Sequence, residues 1–364
     1  MSAVPYYERT TCRLCDGPLA PVFALPSTPI ANAFAVAPDT EATRYPIELM
    51  QCGACGNVQM RHVLSGLFED YKYVTPGSRH QVNFAKYLRQ RFPRAESVLE
   101  IGSNNGTLVE ALRAEGFRCT GVDPTAPMLP GQIRGYFTEK WARRWDKTVD
   151  LVVANNVLAH IDDLDDVFRG IDRVLAPRGA VVFEVQYLVD LIEGGKFDMI
   201  YHEHMNYHTL NPLSKFLAKR GLVLVEWWHL PEHGGSIRVI VMRAGSPAAL
   251  PAEPLCWDRL ALAIDAVKQG LHAVIARHGP LVAFGASAKA CTLINCMDIA
   301  PHITYCVDDT PEKQGRYIPG TGILIKPVSC LGDEPVLLTA WNYADVIRQR
   351  IPNVLINPFA PICS

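Results

Sequence analysis

The sequence predicts an α/β protein whose central Rossmann-like domain binds a nucleoside, and three patterns support this fold class. A short apolar run in the segment VLEIG leads into a loop of Gly, Ser and Asn at Gly102–Gly106, and a helical pattern begins at Thr107. A second apolar run ends in Asp123, and a similar strand–glycine–helix pattern returns as LVAFGASAK at 281–289. Such repeats are typical of parallel sheets that bind ligands at the carboxyl ends of their strands.

Length, composition and charge narrow the range of functions. The chain has 364 residues, of which 49% are apolar and 20% charged, which predicts a globular protein of two or three domains. The net charge is −2 and no basic block occurs, so we expect neither nucleic acid nor an anionic membrane as partner. No run of about 18 apolar residues is available to span a bilayer. The N-terminus lacks a signal-peptide core, and 11 cysteines then indicate a reducing, cytoplasmic location.

Two CxxC pairs indicate a small N-terminal zinc-binding domain, which we place at residues 1–75. The pairs are Cys12 with Cys15 and Cys52 with Cys55. Each pair can direct two thiolates at one ion, and four sulfurs complete a tetrahedral structural site. We therefore predict one structural Zn²⁺ without an open coordination position. Scattered free thiols are the alternative interpretation.

The loop after the first predicted strand favours S-adenosylmethionine as the nucleoside ligand. A pyrophosphate needs closely spaced glycines, but here only Gly102 and Gly106 occur, with Asn104 among the polar residues between them. Asp123 ends the second strand, where an acid commonly binds ribose hydroxyls. Glu100 precedes the loop and is a candidate partner for the cofactor ammonium group. The alternative is an ordinary strand–helix turn without a ligand.

Further candidate site residues follow predicted strands of the same domain, which we place at 76–245. Asn155 and His160 follow the strand at 150–154 and are assigned to the cofactor pocket. Gln186 follows the strand at 180–185, and we assign it to substrate binding. The domain is preceded by a segment with Tyr71 and Tyr73, which is either a lid over the site or an aromatic contact between domains.

A cluster of titratable side chains occurs at Tyr201–His204, with the sequence Tyr-His-Glu-His. A histidine beside a carboxylate is suited to acid–base chemistry near neutral pH. The metalloprotease pattern HExxH is absent, so we favour acid–base chemistry over metal binding, with ordinary polar residues as the alternative. A later loop, EHGGSIR, places His233 and Arg238 beside two glycines and predicts close approach to a polar ligand.

The last third of the chain, which we place at 246–364, predicts a second Rossmann-like domain. A linker at 244–254 precedes a long helix at 255–278. Strands follow at 281–284, 304–309 and 336–338, and we interpret 340–343 as a continuation of the last one. In the pattern Gly-x-Ser-x-Lys, Ser287 and Lys289 are candidates for binding phosphate groups. The alternative is a domain that serves only as scaffold.

Taken together, the motifs resemble a known family. The paired CxxC, EIGSNNG, FEVQYLVDLIEGGKFDMIYHEH, PEHGGSIR, FGASAKA, VDDTPEKQGRYIPGT and WNYAD occur in this order over nearly the whole chain. They resemble the S-adenosylmethionine-dependent C-methyltransferases that act on dTDP-linked sugars in antibiotic deoxysugar pathways. The resemblance implies a zinc domain, a methyltransferase domain and a C-terminal Rossmann-like domain.

The resemblance also implies an activity and residue roles. Members methylate a ring carbon, C3 or C5, next to the ketone of a dTDP-4-keto sugar. The family's general base corresponds to His204, and Tyr201 and Glu203 correspond to its neighbouring tyrosine and glutamate. Tyr71 and Tyr73 are further catalytic candidates, and His202 and Arg316 join the substrate-binding candidates.

Two other functions remain open at the level of sequence. An O- or N-methyltransferase of a nucleotide sugar needs the same cofactor domain but no base facing a C–H bond. A non-catalytic nucleotide-sugar-binding protein needs neither the base nor the methyl donor. The sequence does not indicate the sugar, the position methylated, the order of binding or the oligomeric state.

Overall fold

The computed structural model describes residues 4–38, 42–68 and 79–360. The N-terminal part contains the strands β1 Tyr6–Glu8, β2 Leu19–Thr28, β3 Tyr45–Cys52, β4 Val58–Met60 and β5 His62–Leu64. The central part contains α1 Arg79–Arg91, β6 Ser97–Ile101, α2 Thr107–Ala114, β7 Arg118–Asp123, β8 Gln132–Arg134, α3 Glu139–Ala142, β9 Val149–Asn155, α4 Leu164–Val174, β10 Leu175–Gln186, α5 Leu188–Glu193, β11 Asn206–Tyr207, α6 Leu210–Ala218, β12 Val223–Leu230 and β13 Ser236–Met242. The C-terminal part contains α7 Trp257–His278, β14 Leu281–Phe284, α8 Ala288–Met297, β15 Ile303–Val307, β16 Ile325–Lys326, β17 Val336–Leu338, α9 Ala344–Arg348 and β18 Leu355–Ile356.

The central part is a seven-stranded sheet in the order β12-β13-β10-β9-β6-β7-β8. Strands β8, β7, β6, β9 and β10 are parallel, and β13 and β12 add an antiparallel hairpin. The runs predicted as buried strands are apolar because helices cover both faces of a parallel sheet. The predicted α/β class and Rossmann-like centre are confirmed. No helix among the described residues is long and apolar enough to cross a membrane.

The N-terminal part shares a sheet with the central part. This sheet has the order β11-β4-β3-β2, and β11 belongs to the segment that directly follows the Tyr201–His204 cluster. The Met60 N–H also donates to the Met205 carbonyl at 2.9 Å. The zinc-binding part therefore holds the backbone on the carboxyl side of His204.

The C-terminal part is a five-stranded parallel sheet in the order β16-β15-β14-β17-β18. The prediction of strand at 340–343 is wrong, since Trp341–Tyr343 forms a 3₁₀ turn. The strand ends because the Thr339 hydroxyl hydrogen-bonds the Phe284 and Gly285 carbonyls, each at 2.7 Å, and the chain then turns towards the central part.

All three parts contribute to one buried apolar cluster. It combines Leu49 of the N-terminal part, Ile200 of the central part and Leu293 of the C-terminal part. The segment at 197–207 lies where the parts meet, because its neighbours come from all of them.

Candidate active site and zinc centre

The four predicted zinc ligands form a compact cluster. Their sulfur atoms all lie within 4.8 Å of one another, with 3.6 Å between Cys12 and Cys55 and 3.5 Å between Cys15 and Cys52. Tetrahedral zinc with bonds of about 2.3 Å separates its sulfurs by about 3.8 Å, so the cluster fits the ion. The Cys55 thiol also stabilises the Cys12 thiolate, which lowers the pKa of Cys12 to about 5. With four protein ligands, the zinc is structural.

The zinc knuckle is fastened to the central part by Arg13. Its side chain is buried, its Nε donates to an Asp162 oxygen at 2.8 Å, and its Nη1 donates to the Met60 carbonyl at 2.8 Å. Asp162 also accepts from Arg9 at 3.4 Å. Asp162 lines the large cavity described next, so the knuckle supports one wall of that cavity.

A cavity of about 780 Å³ opens at the carboxyl ends of β6, β7 and β9. The candidate residues that line it are Glu100, Gly102, Asn104, Asp123, Asn155, His160 and His233. Side chains from all three parts of the chain reach it, including Phe68 and Tyr343. The structure thus brings most of the predicted cofactor residues to one site, as the topology requires of adjacent parallel strands.

Both predicted glycines of the loop adopt conformations that favour glycine. Gly102 has φ +78°, and a Cβ atom there would lie 2.6 Å from a Val157 methyl carbon. Gly106 has φ +87° and directly precedes α2, and a Cβ atom there would lie 2.1 Å from the Gln132 amide nitrogen. Gly106 does not itself line the cavity, and its role is to turn the chain into the helix.

Asp123 organises the loop from the end of β7. One carboxylate oxygen accepts the Asn104 N–H at 3.0 Å, and the other accepts the N–H and hydroxyl of Thr125, each at 2.6 Å. A carboxylate oxygen has two lone pairs, so the oxygen bound by Thr125 is fully used, whereas the oxygen bound by Asn104 retains capacity for one more donor. This arrangement fits one ribose hydroxyl as a further donor.

Glu100 is an acid with an unused acceptor. The residue is 4% exposed, lines the cavity, and its Oε2 has no hydrogen-bond partner among the described residues. Burial, together with the charge of Asp123, raises the pKa of Glu100 to about 8. A buried carboxyl with a pKa close to neutral pH fits a cationic ligand group, which would donate a hydrogen bond to the unpaired oxygen.

His204 is held in one tautomer by its neighbours. Its Nδ1 lies 2.9 Å from the Met199 carbonyl, which can only accept, so Nδ1 carries the proton. Its Nε2 lies 2.8 Å from the Tyr201 hydroxyl, which therefore donates to it. Burial lowers the pKa of His204 well below its usual value, and the electrostatic effect of His160 is the second contribution. The His204 ring is therefore neutral, and its basic Nε2 atom accepts a hydrogen bond from the Tyr201 phenol.

His160 lies between His204 and the cavity. Its Nδ1 donates to the Glu203 carbonyl at 2.7 Å, and its ring centre lies 4.9 Å from that of His204. His160 lines the cavity, whereas Tyr201, Glu203 and His204 are in the layer behind it. Burial lowers the pKa of His160, so it too is neutral.

The remaining residues of the cluster face the N-terminal part. Glu203 accepts from the Asn32 side chain at 3.0 Å, and burial raises the pKa of its carboxyl. His202 is fully buried, its Nε2 donates to the Tyr45 carbonyl at 3.3 Å, and burial lowers its pKa to about 4. The structure does not bring His202 to the cavity.

His80 is a functional candidate that sequence reasoning missed. Its Nε2 lies 2.6 Å from a Glu184 oxygen and its Nδ1 lies 2.9 Å from a Glu232 oxygen. Burial alone lowers its pKa, but the hydrogen bond and charge of Glu184, with the charge of Glu232, raise it overall. Glu184 also pairs with Arg238 at 2.5 Å across β10 and β13. No local sequence pattern could have revealed His80, because it lies at the start of α1, far from both acids in sequence.

The candidates from the C-terminal part are less exposed than the pattern Gly-x-Ser-x-Lys predicts. Lys289 is 9% exposed and donates to the Asn342 side-chain oxygen at 2.7 Å, and burial lowers its pKa to about 8. Asn342 and Tyr343, from the motif WNYAD, line the cavity instead. Ser287 caps α8 through the Ala290 N–H.

The other candidates are distributed as follows. Arg316 donates to the Glu312 carbonyl at 3.1 Å, and neither it nor Gln186 lines the cavity. Arg238 lies 4.8 Å from the ring centres of Phe84 and Tyr87 and is committed to its ion pair. Tyr71 and Tyr73 lie outside the described residues.

Comparisons with known proteins agree with this geometry. Three family models match successive parts of the chain: a putative zinc binding domain at 12–66, a methyltransferase domain at 78–226 and a C-methyltransferase C-terminal domain at 256–357. The C-methyltransferase NovU of Streptomyces niveus is 30% identical over 393 residues, which cover 95% of this chain and 93% of NovU. The chain belongs to the family of S-adenosylmethionine-dependent C-methyltransferases that its motifs resemble. S-adenosylmethionine is the cofactor of this C-methyltransferase, and zinc is its structural metal.

Several solved structures are similar to somewhat less than half of this C-methyltransferase. An O-methyltransferase family protein from Burkholderia thailandensis is 14% identical, with a TM-score of 0.34 over 46% of this chain and 57% of its own. The 1,6-didemethyltoxoflavin-N1-methyltransferase of the same organism is 17% identical, with a TM-score of 0.35 over 44% of this chain and 77% of its own. Similarity at this level does not inform on the reaction.

Proposed function

We propose that this C-methyltransferase methylates a ring carbon, C3 or C5, next to the ketone of a dTDP-linked 4-keto-deoxysugar. The observation that carries the proposal is the pair of neutral imidazoles, His160 and His204, packed together beside the cofactor cavity. Carbon becomes nucleophilic only after a proton next to a carbonyl is removed, which requires a neutral base. Transfer to an oxygen or nitrogen has no need of a base facing a C–H bond.

In this reaction His204 acts as the base. Its Nε2 takes the proton, the electrons of the C–H bond move onto the ketone oxygen, and the resulting enolate carbon forms the new C–C bond. When bound, S-adenosylmethionine would supply the electrophilic methyl group, whose bond to sulfur would break with its electron pair left on sulfur, giving S-adenosylhomocysteine as the leaving group. General base catalysis of this kind contributes about 10²- to 10⁴-fold. The Met199 carbonyl keeps the proton of His204 on Nδ1, so that Nε2 is the nitrogen available to react.

Tyr201 then has a defined part in the cycle. Its hydroxyl occupies His204 Nε2 at 2.8 Å, so the substrate C–H bond must replace it there. A phenol displaced from this position can donate to the enolate oxygen. Glu203 acts indirectly, since its backbone carbonyl holds His160 and its side chain is bound by Asn32.

The nucleotide portion of the substrate is assigned to the C-terminal wall of the cavity. Asn342 and Tyr343 form this wall, and the Lys289 ammonium lies directly behind Asn342. A cation behind an amide strengthens the amide N–H groups as donors to phosphate oxygens. We place the enzyme in the cytoplasm, where the zinc-binding thiols stay reduced.

The reaction is tested by incubating the enzyme and S-adenosylmethionine with a panel of dTDP-4-keto sugars. Mass spectrometry should show the addition of one methyl group, and NMR should place it on carbon. A methyl group on oxygen or nitrogen would establish the rival activity. Cofactor binding without any turnover across the panel would favour a binding protein.

The role of His204 is tested by His204→Asn, which keeps polar atoms in the ring's place but supplies no base. Turnover should fall about 10²- to 10⁴-fold, with cofactor affinity retained. In D₂O with the demethylated cofactor, the wild type should exchange the hydrogen next to the ketone and the variant should not. The control is His202→Asn, because His202 lies outside the cavity, and this variant should keep substantial turnover. Near-normal turnover of His204→Asn would contradict the base role.

A further inference from the structure

His233 is a cavity-lining residue with an unusual backbone. Its φ and ψ are +54° and +23°, a left-handed conformation that only a few per cent of residues other than glycine adopt, histidine among the more frequent of them. Such conformations persist only where the surrounding structure imposes them, and they cluster at functional sites. The backbone at His233 therefore indicates a functional role for its side chain.

The carboxyl side of His233 is fixed by two glycines that tolerate no side chain. A Cβ atom at Gly234 would lie 2.3 Å from the Trp341 ring, and one at Gly235 would lie 2.4 Å from Asp190. The Lys196 ammonium also donates to the Gly234 carbonyl. The turn is thus pressed between α5 and the Trp341–Tyr343 turn of the C-terminal part, which prevents relaxation on this side.

The amino side of His233 is fixed by a clamp formed by Glu184, His80 and Glu232. The imidazole of His80 bridges the two carboxylates at 2.6 Å and 2.9 Å. Glu184 is anchored in the central sheet by Arg238, at 2.5 Å. The clamp therefore joins the residue next to His233 to the core of the methyltransferase fold.

The His233 ring itself has the properties of a neutral hydrogen-bonding group. Among the described residues neither ring nitrogen has a hydrogen-bond partner, and the residue faces the cavity. Burial, and next the charge of Lys289, lowers its pKa to about 4, so the ring is uncharged at neutral pH. It is also near enough to His204 for a charge on one to lower the pKa of the other.

We propose that His233 is a further catalytic residue, whose neutral imidazole donates an N–H hydrogen bond to the ketone oxygen of the substrate and, together with the Tyr201 hydroxyl, stabilises the enolate. His80 and Glu232 are positioning residues that act through it. The inference rests on the proposed function, because it supplies the electrophilic partner of the base His204. Proton removal moves the C–H electrons onto the ketone oxygen, and the N–H proton stays on His233 throughout. A neutral imidazole suits this task because it stabilises an enolate-type oxygen without protonating it.

The test compares His233→Ala with His233→Gln, which retains an N–H donor. With a dTDP-4-keto sugar that the wild type methylates, His233→Ala should lower kcat about 10²- to 10³-fold. It should slow deuterium exchange next to the ketone equally and leave cofactor affinity, measured by calorimetry, within about twofold. His233→Gln should recover part of the loss. His229→Ala, an exposed histidine on the same hairpin, is the control and should keep wild-type turnover.

The positioning role is tested by a double-mutant cycle. His80→Gln alone should lower kcat about 10-fold without raising KM to the same extent. In the His233→Ala background it should have almost no further effect, because the two residues act as a unit. Equal losses in both backgrounds would overturn the positioning role and leave His80 a structural residue.

Two further outcomes separate this inference from the proposed function. If the wild type forms a C-methyl product and His233→Ala keeps turnover and exchange within threefold, the inference is wrong while the function stands. If the wild type methylates oxygen or nitrogen, both are wrong. Should the alanine variant fail to fold, NMR titration of the wild-type His233 ring decides, and a ring charged at pH 7 would overturn the proposal.

Discussion

Two strand–glycine–helix turns of this enzyme have the same internal design but different environments. After β6, the Asn104 N–H donates to Asp123 at the end of the next strand, and Asp123 also accepts from the Thr125 N–H at 2.6 Å. After β14, the Ala286 N–H donates to Asp308 at 2.7 Å, and Asp308 accepts from the Thr310 N–H at 2.8 Å. In both turns an acid two residues before a threonine fixes the loop of the preceding strand.

The difference lies in what covers each turn. The first turn opens onto the cavity, and its polar residues Ser103, Asn104 and Asn105 line it. The second turn is closed, because Gly285 packs against Ala340 and the Lys313 ammonium lies 3.5 Å from the Asp308 carboxylate. A shared motif therefore sets the backbone of a turn, whereas the neighbouring segments decide whether a ligand can enter.

Of the effects that test this comparison of the two turns, the largest change in cofactor binding is expected when Asp123 and Asp308 are each replaced in a separate variant. Asp123→Ala should weaken S-adenosylmethionine binding about 10- to 100-fold, since hydrogen bonds to a charged group contribute about 1.5–3 kcal/mol. Asp308→Ala should leave cofactor affinity unchanged and lower the free energy of unfolding instead, because it frees the buried turn. Calorimetry and thermal unfolding measure both. Equal loss of cofactor affinity in the two variants would refute the distinction between open and closed turns.

A second effect, which depends on pH and concerns stability, is expected at Glu100. The closed turn has Ala283 at the corresponding position, two residues before its glycine, and that side chain cannot ionise. The folded-state pKa of about 8 lies above the usual carboxyl value. Stability from this group is therefore full below about pH 4.5 and is lost as pH rises towards 8, on the order of 5 kcal/mol in the unliganded enzyme. Glu100→Gln should remove this decline and weaken cofactor binding about 10-fold. Urea unfolding at pH 5 and pH 8 checks the sign, and an unchanged decline in the variant would contradict it.

The same comparison explains which features the sequence was able to predict. The zinc ligands and the cofactor loop were predicted because CxxC pairs and glycine turns are local patterns. His80 and Asn342 were missed as cavity residues because the topology brings them there from distant segments. The strand predicted at 340–343 is a turn because Thr339 ends β17 through contacts with β14, which no local pattern reveals.

The closed turn also accounts for the position of Lys289, which the sequence assigned to direct phosphate binding. The ammonium lies 5.2 Å from the Trp341 ring centre and donates to Asn342, while the Trp341 indole N–H donates to the buried Asp198 at 2.7 Å. Asp198 directly precedes Met199, whose carbonyl holds His204. The network therefore joins the C-terminal wall of the cavity to the segment that carries the base.

The smallest expected effect follows from this indirect position. Lys289→Met removes the cation behind Asn342, so the KM for the sugar nucleotide should rise about 3- to 10-fold, as expected for one weakened hydrogen bond. The effect on kcat should be smaller, and Lys289→Gln should restore part of the affinity because its amide can still donate to Asn342. Steady-state kinetics with varied sugar nucleotide measure both. A larger loss in kcat than in affinity would instead indicate that Lys289 acts through Asp198 on the His204 segment.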